Sequence, residues 1–498
     1  MAVQLPDIDL LPLLPEILIA LGGCTMLLLS AWNGTATRHK IGMSTITLLV
    51  ITAFMVFQRA VAFKHGMNTD LALQTHLSTF EGMFVGDFFS LYIKMLLLLS
   101  TGMTLLISTD YLQRKKMDNG EFFVLILFAL LGGMVMASAG DFMTLYLGLE
   151  LMSLSIYVLA AYRRDNLRSN EAGLKYFILG SLASGLLLYG ISLIYGATGT
   201  TMFSGIAHHL HESLGQMSGT LAMGMVFVIS GLSFKIAAAP FQMWAPDVYE
   251  GAPTPITAFM AVMPKVAAFA AIYRVLVYGF GSVHDKWSGI LQIVALLSLL
   301  IGAFAAIAQT NIKRMLAYSS IGHVGYALIG LAAGGMAGYQ SVLIYLGIYI
   351  FMSIGTFAII LVLNQEGIGE QIEDYKGLAQ KRPLLALLMS IFMFSMAGIP
   401  PFAGFIGKLY VFMSAIQAHM YFVAIAGVLF SAVGAFYYLR IVKYMYFDVA
   451  AHAFVMPVSG SSKFILTVTT LVILYWGILP STLTSWAELS IKSLLPSL

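Results

Sequence analysis

Four lysines of this chain fall inside long apolar segments, where an ammonium group is costly. They are Lys94, Lys235, Lys265 and Lys408. A lysine in the middle of a membrane-spanning helix costs at least about 2.5–3.5 kcal/mol on insertion scales, so such residues are functional candidates. Burial favours the neutral amine and a nearby anion favours the charged one, and an amine balanced between the two can gain and lose a proton. The chemistry that these residues could perform is therefore proton transfer.

Two further ionisable residues lie deep in apolar segments. Glu150, about nine residues after Asp141 opens its segment, could be a fixed counter-ion or could tune a buried lysine by moving relative to it. His323, about eight residues into another segment, could relay protons or could be a packing histidine. Lys94 is the weakest candidate among the lysines, because it could equally be a structural charge paired with a neighbour.

Prolines accompany three of the four lysines. Those that we place inside apolar segments are Pro240, Pro264, Pro400 and Pro401. The first lies five residues after Lys235, the second directly precedes Lys265, and the last lies seven residues before Lys408. Proline removes a backbone hydrogen bond, and the freed carbonyl is tolerated in hydrocarbon only against protein or water. Helix breaks are therefore expected at these four prolines, and broken helices beside charged residues at the bilayer midplane are typical of ion paths in transporters.

The composition indicates which elements must hold these residues. Of 498 residues, 59% are hydrophobic and 10% are charged, against about 25% charged in soluble proteins. The mean hydropathy is +0.88, and apolar runs of about 20 residues, long enough to cross a bilayer, recur along the chain. The sequence therefore predicts an all-α polytopic membrane protein. The net charge of +3 gives no reason to expect nucleic acid as a partner.

The chain shows no sequence signal for a redox centre or a metal site. Its one cysteine, Cys24, is expected to be an inert buried thiol, and one cysteine forms neither an internal disulfide nor an iron–sulfur site. A single intramembrane histidine argues against b-type haem, which needs two axial ligands. The stretch 200–212 contains His208, His209 and His211, which could suggest a metal site. The stretch is too polar to span, and an interfacial helix or a solvated loop is expected there instead.

The hydropathy pattern predicts fourteen membrane spans. They lie near 10–31, 41–63, 84–108, 121–138, 140–161, 171–195, 217–239, 254–278, 287–309, 315–335, 340–363, 384–418, 420–444 and 464–484. The seventh and twelfth are expected to be broken helices. Spans 4–8 and 9–13 are expected to form two inverted five-helix repeats, because similar lysine-plus-break segments occur five spans apart and so cross in opposite directions.

This pattern predicts a division of the chain and an orientation. The expected divisions are an N-terminal three-helix segment (1–120), a first repeat (121–280), a second repeat (281–450) and a C-terminal helix (451–498). Loops on one side, including Lys313, hold 17 Lys and Arg residues, and loops and helix ends on the other, including Arg274, hold 5. Because the positive side is the inner one, both termini are expected on the outer side.

Four segments carry a family resemblance over most of the chain. They are GLELMSLSIYVLAAY (148–162), PFQMWAPDVYEGAPTPITAF (240–259), NIKRMLAYSSIGHVGY (311–326) and AGIPPFAGFIGKLYVF (397–412). They resemble the antiporter-like membrane subunits of bacterial NADH-quinone oxidoreductase (respiratory complex I). Within that family, DVYEGAPTP and the lysine of the twelfth span look like the N type rather than the L or M type, and the chain lacks the long lateral helix of L.

The resemblance implies one proton channel built from two half-channels. It implies that Glu150 modulates Lys235, that Lys265 connects the half-channels, that Lys408 lies on the exit side, and that His323 lies on the central axis. Quinone reduction elsewhere in the complex would drive the protonation changes. This chain would then be part of an enzyme, a translocase, without a redox centre of its own.

The resemblance also implies the surroundings of the chain. Quinone, NADH, FMN and iron–sulfur clusters are expected in partner subunits and no cofactor in this chain. The expected partners are lipids and other membrane subunits, namely the antiporter-like M type and the small K and J types, in a hetero-oligomer of the bacterial inner membrane with both termini periplasmic. Lys94 belongs to none of the motifs. Two alternatives stay open: a subunit of a multisubunit cation/proton antiporter, and a membrane scaffold without transport.

Overall fold

Helices make up almost all of the chain that the structure describes. The structure is a computed structural model, and it describes residues 9–33, 38–66, 77–115, 117–365, 370–449 and 458–495. Lys116, one of the residues counted for the orientation, lies outside these ranges. Within them, twelve helices are long and apolar enough to cross a membrane, which confirms the predicted all-α polytopic class.

The described residues of the first half of the chain form ten α-helices and one small hairpin. The helices are α1 (Leu14–Asn33), α2 (Arg38–Gly66), α3 (Phe88–Arg114), α4 (Gly120–Ser138), α5 (Phe142–Ala160), α6 (Leu167–Thr198), α7 (Phe203–Glu212), α8 (Gly219–Lys235), α9 (Trp244–Gly251) and α10 (Thr254–Ile272), which a π-helix (Tyr273–Gly279) continues. The hairpin pairs β1 (Leu77–Thr79) with β2 (Phe84–Gly86) in antiparallel register. It was not predicted.

The second half contains nine α-helices in the described residues. They are α11 (His284–Ile307), α12 (Ile312–Ala333), α13 (Gly335–Gln365), α14 (Leu378–Lys381), α15 (Pro383–Ala397), α16 (Ala403–Gln417), α17 (Tyr421–Phe447), α18 (Gly460–Ile478) and α19 (Ser481–Leu494). Every predicted span coincides with a helix or with an interrupted helix pair. α8 and α15 are shorter apolar helices, so the count of fourteen spans stays a prediction, as do the two inverted repeats and the domain boundaries.

The centre of the bundle is formed by α10, α12 and α13. The apolar windows of these helices are 100%, 94% and 100% buried, whereas those of α1, α2 and α17 are less than a third buried. α10 packs against α3, α4, α5, α8 and α13. Lys265 on α10 and His323 on α12 therefore lie on the most enclosed helices, while the peripheral helices present apolar side chains outward.

The prediction that Cys24 is buried was wrong. Its side chain is exposed, and so are Leu21 and Leu28, one turn away on either side at 61% and 68%. Residues three and four apart share a helix face, so this face of α1 points away from the bundle. Sequence position inside an apolar run did not distinguish a core-facing thiol from an outward-facing one.

The polar stretch 200–212 forms a short surface helix, α7, which is one of the two forms expected for it. Phe203, Ile206 and Leu210 are buried at helical spacing, and His208 is 73% exposed beside Glu212. Within the described ranges, no group of three or more His, Cys, Asp or Glu residues is placed to hold a metal ion.

Two basic residues expected in loops or at helix ends are buried instead. Arg274, in the π-helix, donates to both carboxylate oxygens of Asp87 at 2.7 Å and to the carbonyl of Ala137 at 3.0 and 3.1 Å. Lys313, at the start of α12, lies 2.8 Å from the Glu370 carboxylate and donates to a backbone carbonyl at 3.0 Å. Their partners come from distant segments, so hydropathy gave no sign of these pairs. If Lys313 is left out of the inner count of Lys and Arg and Arg274 is left out of the outer count, the predicted inner side still has the excess of positive charge.

Candidate proton-transfer site

Lys235 is the last residue of α8, at the start of a helix break. Its side chain is buried, and its Nζ donates to the hydroxyls of Ser153 at 2.9 Å, Ser184 at 3.1 Å and Tyr157 at 3.3 Å. Ser153 and Tyr157 are four residues apart on α5, and Ser184 lies on α6. A ring of neutral hydroxyls from two helices therefore surrounds the ammonium.

The break after Lys235 occurs where the sequence predicted it. Ala237 has a positive φ of 59°, Pro240 lies in the irregular segment, and the chain becomes helical again at Trp244. The carbonyl of Phe234 at the end of α8 accepts from the Ala237 N–H at 3.0 Å and from the indole Nε1 of Trp244 at 3.0 Å. The lysine occupies the negative end of the helix dipole, which favours a cation.

Lys408 also lies beside a helix break, the one between α15 and α16. α15 ends at Ala397, Gly398 adopts the left-handed conformation with φ 85°, and Pro400 and Pro401 lie in the irregular segment before α16. The Lys408 Nζ donates to the carbonyl of Ala397 at 2.9 Å and to the hydroxyl of Ser431 at 2.8 Å. A backbone carbonyl freed by the break is therefore a ligand of the amine.

The prediction that Pro264 marks a helix break was wrong. α10 runs without interruption from Thr254 to Ile272 with Pro264 inside it. Proline cannot donate to the carbonyl four residues earlier, which is that of Met260. The hydroxyl of Tyr249 lies 3.4 Å from this carbonyl and donates to it. A side chain of a neighbouring helix thus replaces the missing hydrogen bond, as membrane helices allow.

Lys265, directly after that proline, is buried on the central helix. Its Nζ donates to the hydroxyl of Ser320 on α12 at 2.5 Å and lies 5.5 Å from the ring centre of Tyr249. Tyr249 therefore contacts both the amine and the backbone beside it. The contact with Ser320 links α10 to the helix that carries His323.

His323 is hydrogen-bonded through both ring nitrogens. Its Nδ1 lies 2.6 Å from the hydroxyl of Tyr345 on α13, and its Nε2 lies 3.1 Å from the hydroxyl of Tyr438 on α17. Tyr438 is also hydrogen-bonded to Ser319. One small cavity is lined by His323, Tyr438 and Lys408 among others, so the structure brings two of the predicted site residues together.

Lys94 differs from the other three buried lysines because it has an ionic partner. The Lys94 Nζ lies 2.7 Å from a carboxylate oxygen of Glu16, and both side chains are buried. Across the described ranges, no carboxylate lies within ion-pair distance of Lys235, Lys265 or Lys408; their contacts are hydroxyls, a carbonyl and aromatic rings. Burial without a counter-ion favours the neutral form of an amine. These three lysines therefore differ from Lys94 in having only neutral contacts in the described residues.

The comparisons with known proteins give the family. The profile of the NADH:quinone oxidoreductase/Mrp antiporter transmembrane family matches residues 139–434. A NADH-quinone oxidoreductase subunit N from Magnetococcus marinus is 58% identical over 99% of this chain and 100% of its own length. The chain belongs to the subunit N family of NADH-quinone oxidoreductases. A second subunit N, from Paramagnetospirillum magneticum, is 48% identical over 99% of this chain and 100% of its own. The resemblance read from the sequence is thereby confirmed.

Two solved structures contain chains with the fold of this subunit N family member. A chain of respiratory complex I from Thermus thermophilus superposes with a TM-score of 0.76 at 29% identity, covering 95% of this chain and 100% of that one. A chain of the Mrp complex from Dietzia has a TM-score of 0.84 at 20% identity, covering 98% of both. The second likeness shows the fold alone.

Glu150, which was predicted to modulate Lys235, is half-buried and does not contact that lysine. It lies on α5, three residues before Ser153, so it shares a helix face with a ligand of the lysine. One of its carboxylate oxygens is buried without a hydrogen-bond partner. Leu147 and Leu154, three and four residues away, are 65% and 51% exposed. The carboxylate therefore lies between the lysine's ligands and the outer face of the chain.

Sequence reasoning missed the hydroxyl groups of the site. Ser153, Tyr157, Ser184, Ser320 and Ser431 were not among the predicted residues, because serine and tyrosine are common in apolar helices and hydropathy does not single them out. One signal was present: Ser153 follows Glu150 by three residues on the same helix. Hydroxyls at that spacing from an intramembrane carboxylate could have been proposed as ligands of a buried amine.

A charged cluster lies at the predicted inner end of α6, α9 and α12. Asp247 lies 2.8 Å from Lys175 and 2.6 Å from Arg314, and Glu250 lies 3.2 Å from the same guanidinium. Partial burial opposes ionisation of Asp247, but the hydrogen bonds from Lys175 and Arg314 outweigh it and lower the pKa of this carboxyl. Asp247 therefore stays ionised at neutral pH and acts as a fixed charge. The cluster lines an open cleft.

Proposed function

We propose that this chain is the proton-translocating membrane subunit of a NADH-quinone oxidoreductase, and that Lys235, Lys265 and Lys408 are its protonation sites. The observation that carries the proposal is the contrast among the four buried lysines. Lys94 has a carboxylate partner, whereas the other three have only neutral ligands in the described structure. An amine in such surroundings gains or loses a proton when a nearby charge changes.

In this proposal, Lys235 is the lysine of the first half-channel and Glu150 is its modulator. The hydroxyls of Ser153, Tyr157 and Ser184 hold the ammonium and can pass protons to it. Movement of the Glu150 carboxylate toward Lys235 would favour the charged amine, and movement away would favour release. The half-buried position of Glu150 near the outer face suits a group that responds to a neighbouring subunit.

Lys265 and Lys408 act next in this scheme, with His323 between them. Lys265 donates to Ser320, and Ser319, the adjacent residue of α12, is hydrogen-bonded to the network that contains His323. Lys408 lines the same cavity as His323. A proton leaving the central helix would therefore pass along α12 and reach the second break, where Lys408 is the exit-side site.

The redox chemistry belongs to partner subunits in this proposal. Relatives of this chain are named as subunits of NADH-quinone oxidoreductase, and NADH, FMN, iron–sulfur clusters and quinone would all be held outside this chain. The chain would assemble with the M-type, K-type and J-type membrane subunits in the bacterial inner membrane. The excess of positive residues in the predicted inner loops supports a periplasmic position for both termini.

A second candidate is a subunit of a multisubunit cation/proton antiporter. The fold likeness to a chain of the Dietzia Mrp complex favours it, although that likeness is at 20% identity. In an antiporter, the same lysines would exchange protons against a metal cation. Proton movement would then depend on a sodium gradient instead of on NADH and quinone.

The test compares Lys265→Ala and Lys408→Ala in the intact complex, reconstituted into vesicles with NADH and quinone. The control is Lys286→Ala, which removes the amine of an exposed lysine. We expect both site variants to assemble but to lose most coupled turnover and proton uptake, while the control keeps both. Normal turnover and pumping in both site variants would overturn the proposal. Sodium-driven proton exchange without NADH would favour the antiporter.

A further inference from the structure

We propose that the Tyr438 hydroxyl is the junction through which a proton passes between Lys408 and His323. This inference rests on the proposed function and adds a residue to it. Tyr438 lies on α17, outside the helices that carry the lysines, the glutamate and the histidine. No sequence pattern pointed to it.

The contacts of the Tyr438 hydroxyl define its position. It is hydrogen-bonded to Nε2 of His323 at 3.1 Å and to the hydroxyl of Ser319, and its side chain is 2% exposed. The other ring nitrogen of His323 is held by Tyr345 at 2.6 Å. The direct hydrogen bonds of the imidazole are thus made with phenols, and only Tyr438 also lines the cavity shared with Lys408.

A neutral imidazole has one donor nitrogen and one acceptor nitrogen. If Nε2 is the acceptor, Tyr438 donates to it and accepts from Ser319. If Nε2 carries the proton, Tyr438 accepts from it and donates to Ser319. The direction of the hydrogen bonds around Tyr438 therefore follows the tautomer of His323, so the phenol can deliver a proton to the ring or take one from it.

The cavity supplies the link to Lys408. This small cavity has room for about one water molecule. The titratable groups around it are Lys408 on α16, His323 and Tyr326 on α12, and Tyr437 and Tyr438 on α17, whereas α11 and α15 contribute only apolar side chains. One water in this space would bridge the amine and the phenol, which then need no direct contact.

The transfer leaves the phenol unchanged. The Lys408 ammonium gives a proton through the water to the Tyr438 oxygen, while the original phenolic proton passes to Nε2 of His323. One O–H bond of Tyr438 breaks as another forms, the amine becomes neutral, and the ring becomes imidazolium. The reverse sequence moves a proton from His323 to Lys408. No oxidant, reductant or further reactant is needed.

The test is Tyr438→Phe in the intact complex, with Tyr446→Phe as the matched control. Tyr446 is on the same helix and 40% exposed, and both changes remove one hydroxyl. We expect Tyr438→Phe to lower coupled turnover at least about a hundredfold, the lower end of the range for a lost proton-transfer group, and to raise the solvent deuterium isotope effect on turnover. Turnover, proton uptake and isotope effect equal to those of the control would overturn the inference.

A second variant covers the case in which Tyr438→Phe fails to assemble. A ring-fluorinated tyrosine at position 438 keeps the hydroxyl and nearly the same shape but makes the phenol more acidic. A relay role predicts a shifted pH profile of coupled turnover, and an unchanged profile would overturn the inference.

The outcomes separate a failure of this inference from a failure of the proposed function. If Lys408→Ala abolishes pumping while both Tyr438 variants behave as the control, this inference fails and the proposed function stands. If Lys265→Ala and Lys408→Ala are also normal, the proposed function itself fails.

Discussion

The ammonium of Lys94 and the carboxylate of Glu16 form a buried ion pair between α3 and α1. The two charged atoms are 2.7 Å apart, and the side chains are 1% and 4% exposed. The carboxylate does not meet hydrogen-bond geometry, so the attraction is mainly electrostatic. α3 begins at Phe88, which places Lys94 in its second turn, nearer the helix end than the apolar pattern predicted. Of the two roles left open for Lys94, the contact supports the structural charge.

Removing one partner of this pair should destabilise the protein. In Lys94→Met, Glu16 would remain as a buried charge without its partner, which costs about 3–5 kcal/mol. We expect a lower thermal unfolding temperature of the solubilised complex, and near-normal turnover per assembled complex. The double variant Lys94→Met with Glu16→Gln should recover most of the stability. A single variant as stable as the parent, or one that assembles but does not pump, would contradict the structural role.

Lys235→Ala should remove the protonation site of the first half-channel. The hydroxyls of Ser153, Tyr157 and Ser184 would keep their positions but lose the amine that they hold. We expect assembly to be largely retained and coupled turnover to fall at least about a hundredfold. The measurement is NADH-driven proton uptake by vesicles per assembled complex, with Lys286→Ala as control. Pumping at the control level would rule out a role for Lys235.

Glu150→Gln should act through the lysine without a contact between the two residues. The amide keeps the size of the side chain but removes the negative charge that favours a charged amine nearby. We expect coupled turnover to fall several-fold while assembly is unchanged. Glu212→Gln, at an exposed position of α7, is the matched control. If both variants pump equally, Glu150 is a fixed polar group and not a modulator.

Arg274→Ala should weaken the packing at the predicted outer end of the bundle. The guanidinium joins Asp87 at the start of α3 to the carbonyl of Ala137 at the end of α4. Without it, the Asp87 carboxylate stays buried and keeps only its capping bond to Ser90, which costs about 3–5 kcal/mol. Thermal unfolding of the solubilised complex checks this. Adding Asp87→Asn should restore part of the loss, since asparagine also caps helices.

The sequence by itself determined the membrane class, the position of nearly every long helix and two of the three predicted breaks. It could do so because hydropathy and proline act locally: a run of apolar residues must be helical in hydrocarbon whatever surrounds it. The breaks at Pro240 and at Pro400 and Pro401 lie next to Lys235 and Lys408 as predicted. The motifs also identified the family, which the relatives confirm.

Only the tertiary structure decided which buried charges have partners. Glu16 reaches Lys94, and Asp87 reaches Arg274, from far along the chain, and the Tyr249 hydroxyl replaces the hydrogen bond that Pro264 removes. Such contacts depend on which helix faces meet, and hydropathy does not record the faces of a helix that is apolar all round. For the same reason, Tyr438 and the hydroxyls around the lysines emerged from the packing and not from the sequence.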